Sequence, residues 1–138
     1  MRDDNGNLGA MSRVIIVGHV SEDPYAIDVS HSFGQETDPS DVISLKSFAN
    51  GEFCPRFISD EHDVSNIGGS LRDATVVVVS VDGSGHTRQS LAQRNFLIAR
   101  AAKDNGAAKV VLVEPDLFYS AQDRGPTLQF HTEFINVL

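Results

Sequence analysis

Three runs of consecutive apolar, mostly β-branched residues punctuate the chain. They are Arg13-Val14-Ile15-Ile16-Val17, closed by Gly18, then Thr75-Val76-Val77-Val78-Val79-Ser80-Val81, then Lys109-Val110-Val111-Leu112-Val113. None alternates apolar with polar positions. A strand with one wet face alternates at period two, so unbroken runs predict strands buried on both faces, as in a parallel sheet covered by helices. Two further segments, 42–48 and 53–58, flank Asn50-Gly51. That dipeptide predicts an antiparallel hairpin closed by a type I′ turn. Pro55 lacks an N–H and is expected on a ladder edge or at a bulge. The hairpin is placed beside the parallel core.

Helical spacing is clearest over 88–105. Leu91, Ile98 and Ala102, with Ala101 alongside, form a narrow stripe of mostly small residues suited to close packing on a sheet. Thr87 is the predicted cap and Gly106 the left-handed terminator. The strand, helix and strand from Thr75 to Val113 form one βαβ unit, expected to be right-handed. A shorter helix is predicted from Pro24, with Ser21 or Asp23 as its cap. Segments 34–40 and 59–72 are predicted loops, the second carrying Asn66-Ile67-Gly68-Gly69. After Pro126, the residues Phe130, Phe134, Val137 and Leu138 return at helical spacing. There are no internal repeats.

The predicted class is α/β: a mostly parallel sheet flanked by helices, with an antiparallel hairpin. The 138 residues suffice for one domain with a real core and not for two. That domain is assigned to 13–138. Residues 1–12 are polar and Gly/Asn-rich, with Met11 just before the first strand, and are expected to be a disordered leader or a misplaced start. The apolar end points to a cut through a longer protein, or to a frameshifted or degenerate gene, because a natural terminus is more often polar and frayed.

Charge narrows the partners. The net charge is −8 and no Lys/Arg run occurs. That argues against a nucleic-acid or anionic-membrane surface, while leaving room for a small phosphate ligand held by backbone N–H groups and one or two Arg. Cys54 is the single cysteine, so no disulfide forms within the chain and no thiolate zinc cluster can be built. A cytoplasmic protein is the simple expectation. No apolar run is long enough to span a membrane, and the start has no secretory pattern.

In an open parallel α/β sheet, ligands gather beyond the carboxyl ends of the strands. Segments 19–23, 82–86 and 114–124 fall there. The hairpin tip, 48–52, joins them if it folds over that edge or over a neighbour's. At the tip, Phe48 offers a flat face for a base, and Asn50 and Glu52 offer groups for a base edge. All three share one face if the segment stays extended. A tight turn at Asn50-Gly51 breaks that alternation and makes Phe48 a core residue; spacing alone favours the turn. Gln122, Asp123 and Arg124 follow a strand and precede a predicted helix, in reach of a nucleotide or phosphate. Spacing alone favours a solvated loop ended by Gly125-Pro126. The turn Asp82-Gly83-Ser84-Gly85-His86-Thr87 presents N–H groups to an anion or is a plain βα turn. It lacks the P-loop Lys, and the plain turn is the better reading. The five histidines, His19, His31, His62, His86 and His131, show no metal-ligand spacing with one another or with Cys54, and are expected on the surface or in loops. Glu61, His62 and Asp63 cluster in a loop without forming a motif. No Ser/His/Asp or Cys/His arrangement is present.

Taken in order, the first strand, Phe48-x-Asn50-x-Glu52, Leu71-Arg72-Asp73 ahead of a strand, the long helix, the next strand, and Tyr119-Ser120-Ala121-Gln122-Asp123-Arg124 resemble the amino-terminal domain of ribose-phosphate pyrophosphokinase. The resemblance covers about 13–126. It implies a phosphoribosyltransferase-like half and a parent reaction that moves the β,γ-diphosphoryl group of ATP, with magnesium, to ribose 5-phosphate. It also implies that Phe48 stacks on adenine and that Asn50 and Glu52 bond its edge across a subunit interface. Gln122 and Asp123 would line the ATP pocket of a homo-oligomer. Departures are visible. Ala121 stands where the family has Arg, Arg124 occupies a different place, Arg88-Gln89-Ser90 replaces the family's Asn-Asp-Asn, and Gln129-Phe130-His131 does not follow its pattern. The family's metal-binding His, catalytic Lys/Arg loop and acidic ribose-phosphate loop come later than this chain reaches. Phosphoryl transfer depends on positioning and on cations. The chain alone is therefore expected to be inactive, with no catalytic or metal residue of its own. It would contribute the adenine side of an ATP site and an oligomer interface. The alternatives are a non-catalytic nucleotide-sensing relative that associates with a true synthase, and a structural α/β domain with no ligand.

Overall fold

The computed structural model describes residues 13–59, 68–81 and 85–115. The leader, most of the 59–72 loop, and the segments containing Tyr119 to Arg124 and the residues after Pro126 lie outside the described residues. In chain order the elements are β1 (Val14–Gly18), α1 (Pro24–Ser32), a 3₁₀ turn (Pro39–Asp41), β2 (Ile43–Ser47), β3 (Phe53–Phe57), β4 (Thr75–Val79), α2 (Arg88–Asp104) and β5 (Lys109–Val113).

The three unbroken apolar runs form one parallel sheet in the order β1-β4-β5, with Val14 opposite Thr75 and Thr75 opposite Lys109. Successive side chains go to opposite faces. Val17, Val76 and Val78, with Ile15, Val110 and Leu112 partly buried, pack on one face against Ile98 and Ala102 of α2. Ile16, Val77 and Val79, with Val14, Val111 and Val113, go to the other face, where Ala26 and Val29 of α1 cover them. Helices pack on both faces, which is why no polar alternation interrupts the runs.

Local chemistry sets the element ends. Asp23 caps α1, its Oδ2 accepting from the Ala26 N–H at 2.9 Å, and Pro24 starts the helix. Thr87 Oγ1 accepts from the Ser90 N–H at 3.1 Å and caps α2. Gly106 ends α2 at φ +94°, where a Cβ would lie 3.3 Å from Arg72 Cα. Gly18 is required for a different reason. A Cβ there would meet Pro39 Cβ at 3.2 Å and Ala26 Cβ at 3.6 Å. The predicted loop 34–40 does structural work. Gln35 Oε1 accepts from Ile16 N–H and its Nε2 donates to Ile16 O, both at 2.9 Å, so one amide occupies the open edge of β1 as a strand would.

The hairpin pairs Ile43 with Phe57 and Ser47 with Phe53. Pro55, opposite Leu45, lies on β3 of this two-stranded ladder, where no further strand needs its missing N–H. The closing turn differs from the expected type I′. Gly51 N–H donates to Phe48 O at 2.9 Å and Phe48 N–H to Glu52 O at 2.8 Å. Only Gly51, at +87°, takes a positive φ; Asn50 does not. A type I′ turn needs both, so the loop is instead a three-residue connection ending in a left-handed glycine. Ile43 and Phe57 are buried with Leu71, Ile98 and Ala102, so the hairpin lies on the same side of the sheet as α2.

Candidate functional site

The hairpin runs alongside α2. Phe57 packs into the same buried cluster as Ile98 and Ala102, and Phe53 at the other end of β3 lies under Arg94. The tip therefore points toward the start of α2. That helix begins just after β4, so its start lies at the carboxyl end of the sheet. Helical periodicity divides the work on α2. Leu91, Asn95, Ile98 and Ala102 are buried, while Ser90, Gln93 and Arg94 turn toward the hairpin.

Between the tip and α2 lies a groove of about 510 Å³, lined by Phe48, Glu52, Phe53, Ser90, Gln93 and Arg94 among others. Phe48 is 46% exposed and is not a core residue. Lys46 Nζ lies 5.1 Å from its ring centroid. The Arg94 guanidinium lies 4.0 Å from the Phe53 centroid, a cation–π contact, and donates to Ser47 Oγ at 3.3 Å. Partial burial lowers its pKa. The thiol of Cys54 lines the same groove and is exposed.

A second polar feature lies beside the first; its His19 and Glu114 open two of the loops expected beyond the strand ends, while Asn95 and Ser80 were not anticipated from the sequence. His19 follows β1, Ser80 follows β4 and Glu114 follows β5, so the carboxyl ends of all three parallel strands converge. Asn95 joins them. Its Nδ2 donates to Ser80 Oγ at 3.1 Å and to Glu114 Oε1 at 3.0 Å. Its Oδ1 lies 2.6 Å from His19 Nε2. An amide oxygen only accepts, so Nε2 carries the proton and Nδ1 presents a lone pair. That Nδ1 is buried with no hydrogen-bond partner among the described residues. His19 is 8% exposed and Asn95 1%. Burial lowers the His19 pKa; the Asn95 bond opposes this, and the charges of Arg94 and His86 reinforce it. The imidazole is therefore held neutral. The signal for this cluster is Asn95 itself, a polar residue in the middle of the apolar stripe of α2.

The predicted site residues fall out unevenly. Phe48 and Glu52 line the groove. Asn50 does not: its Oδ1 accepts from the Glu52 N–H at 3.1 Å and braces the turn. Segment 48–52 is thus a folded turn and not an extended strip with three side chains on one face. Gln122 and Asp123 lie outside the described residues, as do Arg124, His62, His131 and the Asp82-Gly83-Ser84 part of the glycine turn. His19 lies in the loop after β1, as expected, but is buried there and not on the surface, because the strand ends close over it; His31 and His86 are exposed. Among the described residues, no group of three or more His, Cys, Asp or Glu side chains is placed to hold a metal.

The groove offers aromatic faces, a carboxylate and a guanidinium, a set suited to a planar base carrying an anionic tail. No protein-family model matches the chain, and no curated protein matches it.

Proposed function

We propose that the domain binds a purine nucleotide in the hairpin groove, as the amino-terminal half of a ribose-phosphate pyrophosphokinase-like protein would. In this reading Phe48 stacks on the base and Glu52 accepts from its edge. Asn50 acts by holding the turn. Gln122 and Asp123 complete the pocket, supplied by a neighbouring copy in a homo-oligomer. ATP or ADP is the ligand, with magnesium accompanying ATP in the complete protein. The chain by itself binds without catalysing transfer, because that chemistry needs metal and cations that the resemblance assigns to a later part of the family.

One observation carries this reading. Phe48 stands at the rim of the groove, half exposed, with its ring open to a planar ligand. Titration of the full chain with ATP, ADP and adenosine tests it. Removing a stacking ring by Phe48→Ala is expected to weaken adenosine binding about tenfold. Absence of binding to the assembled protein, or binding indifferent to Phe48, contradicts the reading and leaves a structural α/β domain. Ala121, standing where the family has Arg, favours a nucleotide-sensing relative over a synthase half. An acidic loop ahead of a helix, encoded downstream of Leu138, would favour the synthase.

A further inference from the structure

The groove holds a cation that no carboxylate among the described residues pairs with. Arg94 is the only Lys or Arg among the described residues lining it. Its hydrogen bond goes to a neutral hydroxyl, Ser47 Oγ, at 3.3 Å, and its face rests on the Phe53 ring. Glu52 lines the same groove, yet no ion pair joins it to Arg94. A guanidinium has five N–H donors in a rigid fork, so most of its capacity remains unused here. The ring fixes one face of the guanidinium plane, which leaves the edge donors pre-aimed and reduces the ordering a ligand must impose. Side-chain length also matters. Arg94 projects from α2 across the groove to reach Ser47 at the end of β2, so the cation sits between the two walls.

We infer that Arg94 is the anion-binding residue of the groove and that it selects phosphorylated ligands, a nucleoside mono- or diphosphate over the bare nucleoside. The inference rests on the nucleotide reading above for the base, and on Arg94 alone for the phosphate. Ser90, four residues before Arg94 on α2 and lining the same groove, is placed to add a neutral donor. The chain's net charge of −8 repels a phosphate at long range, so an affinity gained on adding phosphate must come from a local cation; among the described residues Arg94 is the one that lines the groove, with Lys46 over the Phe48 ring.

The test is calorimetric titration of the full chain with adenosine, AMP, ADP and inorganic pyrophosphate, for the wild type and for Arg94→Gln, Arg94→Lys and Phe48→Ala. ADP is expected to bind about tenfold or more tightly than adenosine to the wild type. Arg94→Gln should abolish that advantage, bringing the affinity for ADP down to that for adenosine. Arg94→Lys, which keeps charge and stem but loses the fork, should retain part of it and guards against a folding defect. If adenosine binds in a Phe48-dependent way while Arg94→Gln leaves the ADP advantage intact, the inference is overturned and the nucleotide reading stands. If pyrophosphate binds through Arg94 while adenosine does not bind at all, the inference stands and the nucleotide reading falls. Equal loss of adenosine and ADP in both Arg94 variants overturns it, as does no binding of any probe.

Discussion

Asn95 links the helix to all three strand ends. A single amide bonds Ser80, Glu114 and His19, and the buried His19 Nδ1 has no partner among the described residues. This makes stability respond to pH through His19. Its folded pKa lies below the ordinary value of 6.5, so the unfolded chain takes up a proton first as pH falls. The stabilisation is complete above 6.5 and is lost progressively as pH drops from there toward the lowered folded value. Urea unfolding followed across this window should show that loss in the wild type. His19→Gln keeps an N–H for Asn95 and removes the titration, so it should flatten the dependence. An unchanged slope in the variant would assign it to other groups. The sequence brought the loops carrying His19 and Glu114 to one edge of the sheet, but not the contacts between them. Asn95 was visible as a polar interruption of a stripe, but its partners come from three segments far apart in sequence, and only parallel pairing brings them together.

Elements were more legible, because their signals are local. Continuous β-branched runs gave the three strands, and a capping Thr, a helical stripe and a terminal Gly bounded α2 within one residue. The exceptions have physical causes. The turn at 49–51 depends on which residue takes the left-handed conformation, and Asn-Gly permits either one or two such residues. The amide of Gln35, serving as a surrogate edge for β1, has no local signature at all. Gly106 provides the element-scale prediction. Its φ of +94° and the 3.3 Å approach of any Cβ to Arg72 Cα act in the same direction. Gly106→Ala should destabilise by about 1–2 kcal/mol in chemical unfolding. A neutral or stabilising effect would mean that the end of α2 readily rearranges.

At the scale of the molecule, the position of the hairpin carries the proposed function. The sequence placed it beside the parallel core; the structure lays it along α2 with its tip toward the carboxyl end of the sheet. Among the described residues no helix is long and apolar enough to cross a membrane. Phe57, 1% exposed, ties the hairpin to Leu71, Ile98 and Ala102. Phe57→Ala should destabilise by about 3–5 kcal/mol and release the groove wall, so amide exchange in β2 and β3 should accelerate more than in the parallel sheet. Uniform acceleration would show that the hairpin is not a separable wall. The central claim, that the groove between tip and helix receives a purine nucleotide, is tested most directly by a ¹H–¹⁵N titration of the full chain with ADP. The account predicts shifts concentrated at 48–54 and 88–97 and about tenfold weaker in the Phe48→Ala protein. Saturation with no shifts in those segments, or shifts that survive loss of the Phe48 ring undiminished, would contradict it.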